Sequence, residues 1–141
     1  MGSIGGLLSD EHLEAFIEAF VLPARRERYL FLARAPKRRV ELRKRLAHWR
    51  DFDARRAVAL PRDAQASATA VARFLEVRGA PSSCYVLSEW GEYDGRVMPL
   101  ADATGAIVGR GMGTVLSCIP GRLAYYESED GERYVFVAAA G

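Results

Sequence analysis

The chain has 141 residues, half of them hydrophobic, and its 20 Lys and Arg against 18 Asp and Glu leave a formal charge of +2. That composition is too apolar and too nearly neutral for intrinsic disorder, and no apolar run approaches the roughly 18 residues that a membrane span needs. The length suits one ordinary soluble domain over residues 1–141.

The start, Met1-Gly2-Ser3-Ile4-Gly5-Gly6, has no basic region and no long apolar core, so no secretory leader is expected. Gly6 stands where a myristoylation signal wants Ser or Thr. Further along, Ser9 suits an N-cap and Asp10 and Glu11 suit a first helical turn, where carboxylates meet the positive end of the helix dipole. Leu13, Phe16, Ile17 and Phe20 then repeat at i, i+3, i+4, i+7, which predicts an amphipathic helix.

Pro23 opens a second helix through Ala24–Arg34, and Pro36 both stops it and can start a third. The run Tyr29-Leu30-Phe31-Leu32 is apolar nearly all round, but its Ala, Arg and Glu flanks favour helix over strand. The third helix, Lys37–Arg50, puts Leu42, Leu46 and Trp49 on one stripe and bases over the rest of its circumference. Residues 54–62 are ambiguous. Asp63 can cap a fourth helix in which Ala68, Val71, Ala72 and Leu75 keep the 3.6 period, and Gly79 and Pro81 end it.

After Pro81 the pattern turns strand-like. Cys84–Leu87 is a strand, Trp90–Gly95 a loop, Pro99–Val108 a short helix, and Thr114–Ile119 a strand leading into the Pro120-Gly121 turn. Leu123–Ser128 and Arg133–Ala138 are strands joined across Asp130-Gly131, a hairpin signal. The expected architecture is α+β: about four N-terminal helices packed on one face of a small, mainly antiparallel C-terminal sheet of about four strands. The helical half spans about 9–79 and the strand-rich half about 82–138.

The near-neutral total hides a polarised chain. Residues 1–20 sum to −4, residues 21–56 to +9, residues 57–78 to +1 and residues 79–141 to −4. Eighteen of the bases are Arg, and Ala occurs 22 times. Both residues have GC-rich codons, so a bacterial, GC-rich genome explains their abundance and only the clustering of Arg argues for function. Arg38, Arg39, Arg43, Lys44, Arg45 and Arg50 form the candidate surface for an anionic partner, since Arg can fork onto carboxylate or phosphate. The plainer alternative is that these side chains pair with the acidic blocks.

The other constellations are weaker. Gly105, Gly109, Gly111 and Gly113 follow a helix and precede a strand, the reverse of the order in nucleotide loops, so a helix C-cap and a flexible lead into the next strand fit better. His12, His48, Cys84 and Cys118 include no pair at close ligand spacing, so no metal is expected, and no motif calls for a cofactor. Both histidines read as solvent-facing or hydrogen-bonded surface residues. The cysteines read as small buried residues of neighbouring strands, with Cys118 activated by His48 as the functional alternative. Two thiols suit a reduced cytoplasm better than a disulfide scaffold.

Glu89, Trp90, Asp94, Tyr126 and Glu127 form a second candidate, an acidic or ligand cleft. Were Glu89, Asp94 and Glu127 to converge, they could divide acid and base roles or hold Mg²⁺ in a small hydrolase or metal-dependent nuclease. Adjacent Tyr125 and Tyr126 must point to opposite faces of a strand, so one is exposed unless both faces are covered.

The expected function is binding rather than catalysis, through contact with a protein partner or a second copy, with the Arg-rich helices facing an acidic partner. Nucleic-acid binding through residues 25–56 is the alternative of the same chemistry.

Overall fold

Helical stripes and continuous apolar strands both need cover, and the computed structural model shows where each finds it. It describes residues 2–45, 51–65 and 67–138, with side chains from residue 11 onward. Helix α1 (Gly2–Phe20) begins well before Ser9, which lies inside it rather than at its cap. Extending a nucleated helix costs little per residue, so upstream turns can add to the amphipathic segment. Pro23 starts α2 (Pro23–Arg34) and Pro36 starts a 3₁₀ turn (Pro36–Arg38) that runs into α3 (Arg39–Arg45). The expected third helix is thus split by 3₁₀ geometry, and its Leu46, Trp49 and Arg50 lie outside the described residues.

The ambiguous stretch is a 3₁₀ turn (Ala54–Arg56) followed by a short strand, β1 (Ala57–Ala59). Helix α4 (Ala68–Val77) is capped by the Ser67 hydroxyl, which accepts from the Ala70 N–H at 3.0 Å, and not by Asp63. Ser67 sits immediately before the helix and three residues from its donor, the geometry an N-cap requires. Then come β2 (Ser83–Ser88), β3 (Val97–Pro99), α5 (Leu100–Ile107), β4 (Thr114–Ile119), β5 (Leu123–Glu127) and β6 (Arg133–Val137).

Among the described residues the sheet therefore has six strands, not four, in the order β1-β6-β5-β4-β2-β3, and every pairing is antiparallel. The two strands not foreseen are three-residue edge strands, too short to show alternation, and short edges leave little backbone exposed for stray pairing. Gly121, at φ +67°, follows Pro120 in the β4–β5 turn, and the Arg122 N–H closes it on the Ile119 carbonyl at 2.9 Å.

Helices cover both faces of this sheet, which corrects the one-faced expectation. On one face α1, α2 and α3 bury Phe16, Ile17, Phe20, Leu32 and Leu42 against Tyr85, Leu87, Val115, Tyr126 and Phe136. Phe16, Phe20, Phe52, Tyr126 and Phe136 meet there with ring centroids 4.9 to 6.1 Å apart. On the other face α4 and α5 bury Val71, Leu75, Ala103 and Ile107 against Val86, Leu116, Leu123, Tyr125 and Val135. Tyr125 and Tyr126 are both buried as a result. The physical sign was present in the near-continuous apolar runs of β2 and β4, which a sheet wetted on one side would not tolerate. No helix among the described residues is long and apolar enough to cross a membrane.

Candidate functional site

The end of the sheet where β2 stops and β4 begins gathers the candidate carboxylates. Ser88, Thr114 and Glu127 lie side by side on neighbouring strands, and the Ser88 and Thr114 hydroxyls share a 2.7 Å hydrogen bond. Glu127, 1% exposed, accepts the N–H groups of Gly109 and Gly111 at 2.9 Å each and the Tyr125 hydroxyl at 2.8 Å. Arg133 adds its charge at 3.6 Å. Glu89 accepts the Gly113 N–H at 2.7 Å. Asp94 accepts the Ser88 N–H at 3.0 Å and faces Arg39 at 3.1 Å.

Each carboxylate is therefore occupied in holding backbone or a guanidinium. The glycine segment after α5 is a nest of N–H groups, but the protein's own carboxylates fill it, so it is a clamped connection and not a flexible lead. Its positive φ values at Gly109 and Gly111 (+83° and +69°) let successive N–H groups converge on Glu127. Of the five residues of the candidate cleft, Glu89 and Glu127 meet this segment. Asp94 holds the neighbouring loop, Trp90 packs edge-on against Tyr93 at 4.8 Å, and Tyr126 lies on the opposite face of the sheet against Phe52. Among the described residues, no three His, Cys, Asp or Glu side chains stand together at metal-holding geometry.

The arginines divide into two groups. Arg39 reaches from α3 across to the β2–β3 loop, donating to Asp94 at 3.1 and 3.3 Å and to the Tyr85 hydroxyl. Burial pulls its pKa down, but Asp94 and Tyr85 together outweigh burial and hold it above its ordinary value. Arg43 lies 3.9 Å from the same carboxylate, and Arg45 lies 3.4 Å from Glu41 and 3.7 Å from Asp51. These three are turned inward. Arg38 and Lys44 are exposed and carry no ion pair among the described residues, while Arg50 and His48 lie outside them.

Beside Arg38 stands a residue that the sequence alone did not single out. Phe31, 49% exposed on the outer side of α2, has the Arg38 guanidinium 5.0 Å and the Arg28 guanidinium 5.6 Å from its ring centroid. Two open depressions of about 420 and 570 Å³ meet at Ala35, one lined by Leu30, Phe31 and Arg34, the other by Pro36, Lys37 and Arg38. Val40 is half exposed. The signal was available: four consecutive apolar residues wrap a helix completely, so when Tyr29 and Leu32 are buried, one of the others must face outward.

His12 is partly buried and takes the hydrogen-bonded form of the two expected for it. Its Nδ1 lies 2.7 Å from the Ser117 hydroxyl, and its ring stacks on Tyr85 at 5.8 Å and 21°. Burial lowers its pKa, with Glu11 pulling the other way more weakly. The two thiols are buried as expected, with Cys84 pushed up to about 12 by burial and Cys118 higher still.

Comparison with protein families, with curated proteins and with solved structures finds no match.

Proposed function

We propose that the protein binds an acidic protein segment on the outer surface of α2 and the 3₁₀ turn that follows it, with Phe31 at the centre. The observation that carries this reading is Phe31, a half-exposed aromatic ring flanked by two guanidinium groups. An aromatic side chain left in water beside Arg is the combination that anchors protein interfaces. Arg28 and Arg34 here are balanced by Glu41 and Glu14. Arg38 and the neighbouring Lys37 make no ion pair among the described residues and outnumber the exposed Glu27 that lines the same depression as Phe31, so the surface keeps a small positive excess for carboxylates of a partner. The occupied state of Asp94 and Glu127 weighs against the hydrolase alternative, because a carboxylate already accepting several donors has little capacity left for a proton or a metal ion, and Glu89 is tied by one oxygen to the Gly113 N–H.

The reading is tested by fluorescence anisotropy with a labelled peptide of alternating Glu and Leu, titrated at several salt concentrations. Phe31→Ala and Arg38→Glu are each expected to weaken binding about tenfold or more, with binding falling as salt rises. Unchanged binding by Phe31→Ala overturns the proposal. Single-stranded DNA and RNA are run beside the peptide. If they bind tighter, with a steep salt slope, the surface serves nucleic acid through residues 25–56 instead.

A further inference from the structure

The two cysteines stand opposite each other in the sheet. Strands β2 and β4 pair Ser88 with Thr114, Leu87 with Val115, Val86 with Leu116 and Tyr85 with Ser117, and one further step of that register sets Cys84 against Cys118. Both side chains lie in the core beneath α4 and α5. Their neighbours Tyr85 and Ser117 face the other way, towards α1 and its His12, as alternation along a strand requires. On its β5 side Cys118 falls in a register shift between Ser117 and Ile119, so it has no register partner there.

Backbone bonding fixes which kind of pair this is. Just past the end of β2 the Glu89 N–H donates to the Gly113 carbonyl in the same register, so Leu87 and Tyr85, at alternate positions, also turn their backbone groups towards β4. Val86 and Ser82 turn theirs the other way, the Val86 N–H donating to the Arg96 carbonyl and the Ser82 carbonyl accepting from the Leu100 N–H. Cys84 lies midway between them. Its pair with Cys118 is therefore of the non-hydrogen-bonded kind, in which Cα atoms stand about 4.5 Å apart and side chains are closest. A disulfide spans about 4.4 to 6.8 Å between Cα atoms, so this register meets its requirement. The Cys118 thiol now makes only a weak contact, donating to the Leu116 carbonyl at 3.7 Å.

We propose that Cys84 and Cys118 are an oxidisable pair, closing into a disulfide across β2 and β4 when the chain folds in the presence of a small disulfide such as glutathione disulfide. One cysteine thiolate attacks a sulfur of the oxidant and expels a glutathione thiolate; the second attacks the mixed disulfide at the first cysteine's sulfur and expels the other. The chain gives up two electrons and two protons, and one glutathione disulfide becomes two thiols. Timing follows from cover. Once α4 and α5 are in place both sulfurs are buried and burial holds both thiols protonated. Exchange thus belongs to the open chain, and the redox state set then is sealed by folding. The pair is independent of the Phe31 surface, whose helix packs on the opposite face of the sheet.

Refolding the full chain from urea with glutathione disulfide, and in parallel with reduced glutathione, tests the pair. Free thiols are then blocked with iodoacetamide and the peptides mapped by mass spectrometry. An internal Cys84–Cys118 bond is expected in most of the oxidised chains. Because a crosslink enclosing about 35 residues restricts the unfolded chain, the oxidised form should unfold at a urea concentration about 1 M or more above the reduced form. Dithiothreitol should reduce the bond at least about 100-fold more slowly in the folded chain than in urea. In Cys84→Ala and in Cys118→Ala the same oxidant should give no upward shift of the midpoint. Glutathione adducts in place of the internal bond, an oxidised midpoint at or below the reduced one, reduction as fast folded as unfolded, or an upward shift that persists in either variant would each overturn the proposal.

Discussion

Glu127 shows how one side chain can decide the meaning of a motif. Its two oxygens collect the N–H groups of Gly109 and Gly111, the Tyr125 hydroxyl and the charge of Arg133, all with the carboxylate almost fully buried. Removing such a group leaves the buried Tyr125 hydroxyl, the partly buried Arg133 charge and the two glycine N–H groups without their acceptor, which costs more than the bonds themselves contribute. Glu127→Ala is therefore expected to lower stability by about 3–5 kcal/mol in urea unfolding, whereas Glu129→Ala, on the exposed hairpin tip, should stay within about 0.5 kcal/mol. A carboxylate near glycines reads the same in sequence whether it awaits a ligand or holds the loop. Only the distances separate the two. The pairing of Arg39 with Asp94 was equally hidden, because 55 positions lie between them.

At the scale of elements, the docking of α1 on the sheet is expected to respond to pH. The His12 imidazole is partly buried against Ser117 and Tyr85, and burial disfavours its charged form. The folded chain takes up this proton at lower pH than the unfolded chain, whose imidazole titrates near 6.5. Below 6.5 the unfolded state thus binds more protons and stability falls, down to the folded-state pKa. His12→Gln should flatten that part of a stability profile measured by urea unfolding at stepped pH, and an unchanged slope would contradict it.

The helices and long strands were legible because their signals are local: Leu13, Phe16, Ile17 and Phe20 mark a helix whatever covers them, and Pro120-Gly121 and Asp130-Gly131 mark turns by their own backbone preferences. The edge strands were not. Ala57-Val58-Ala59 has a single β-favouring residue between two alanines, too little to signal a strand, and is extended because it pairs with Tyr134, Val135 and Phe136 of β6.

At the scale of the whole molecule, two-sided coverage of the sheet sets the chemistry of its thiols. Cys84 and Cys118 face the core beneath α4 and α5, and burial holds both thiols protonated, Cys84 up to about 12. Since the thiolate is the reactive form, neither should react with Ellman's reagent at pH 8 in the folded chain, and both should react in denaturant. The charge polarisation is reduced only in part at this scale. The acidic N-terminal block meets the basic block at Glu14 and Arg34, and the acidic C-terminal block meets it at Asp94 with Arg39 and Arg43. Arg26, Lys37, Arg38, Lys44 and Arg56 make no ion pair among the described residues, so most of the block's excess is left unneutralised by the two acidic blocks.

The sequence by itself determined the helical and strand-rich halves, the turns between strands and the location of the basic block, because each depends on residues within a turn or two of one another. Tertiary structure alone decided that the sheet is covered on both faces, that the carboxylates clamp glycines, and which cations are left without an ion pair among the described residues. Those outcomes rest on contacts such as His12 with Ser117, 105 positions apart. Local periodicity states that a face must be buried, and long-range packing chooses what buries it.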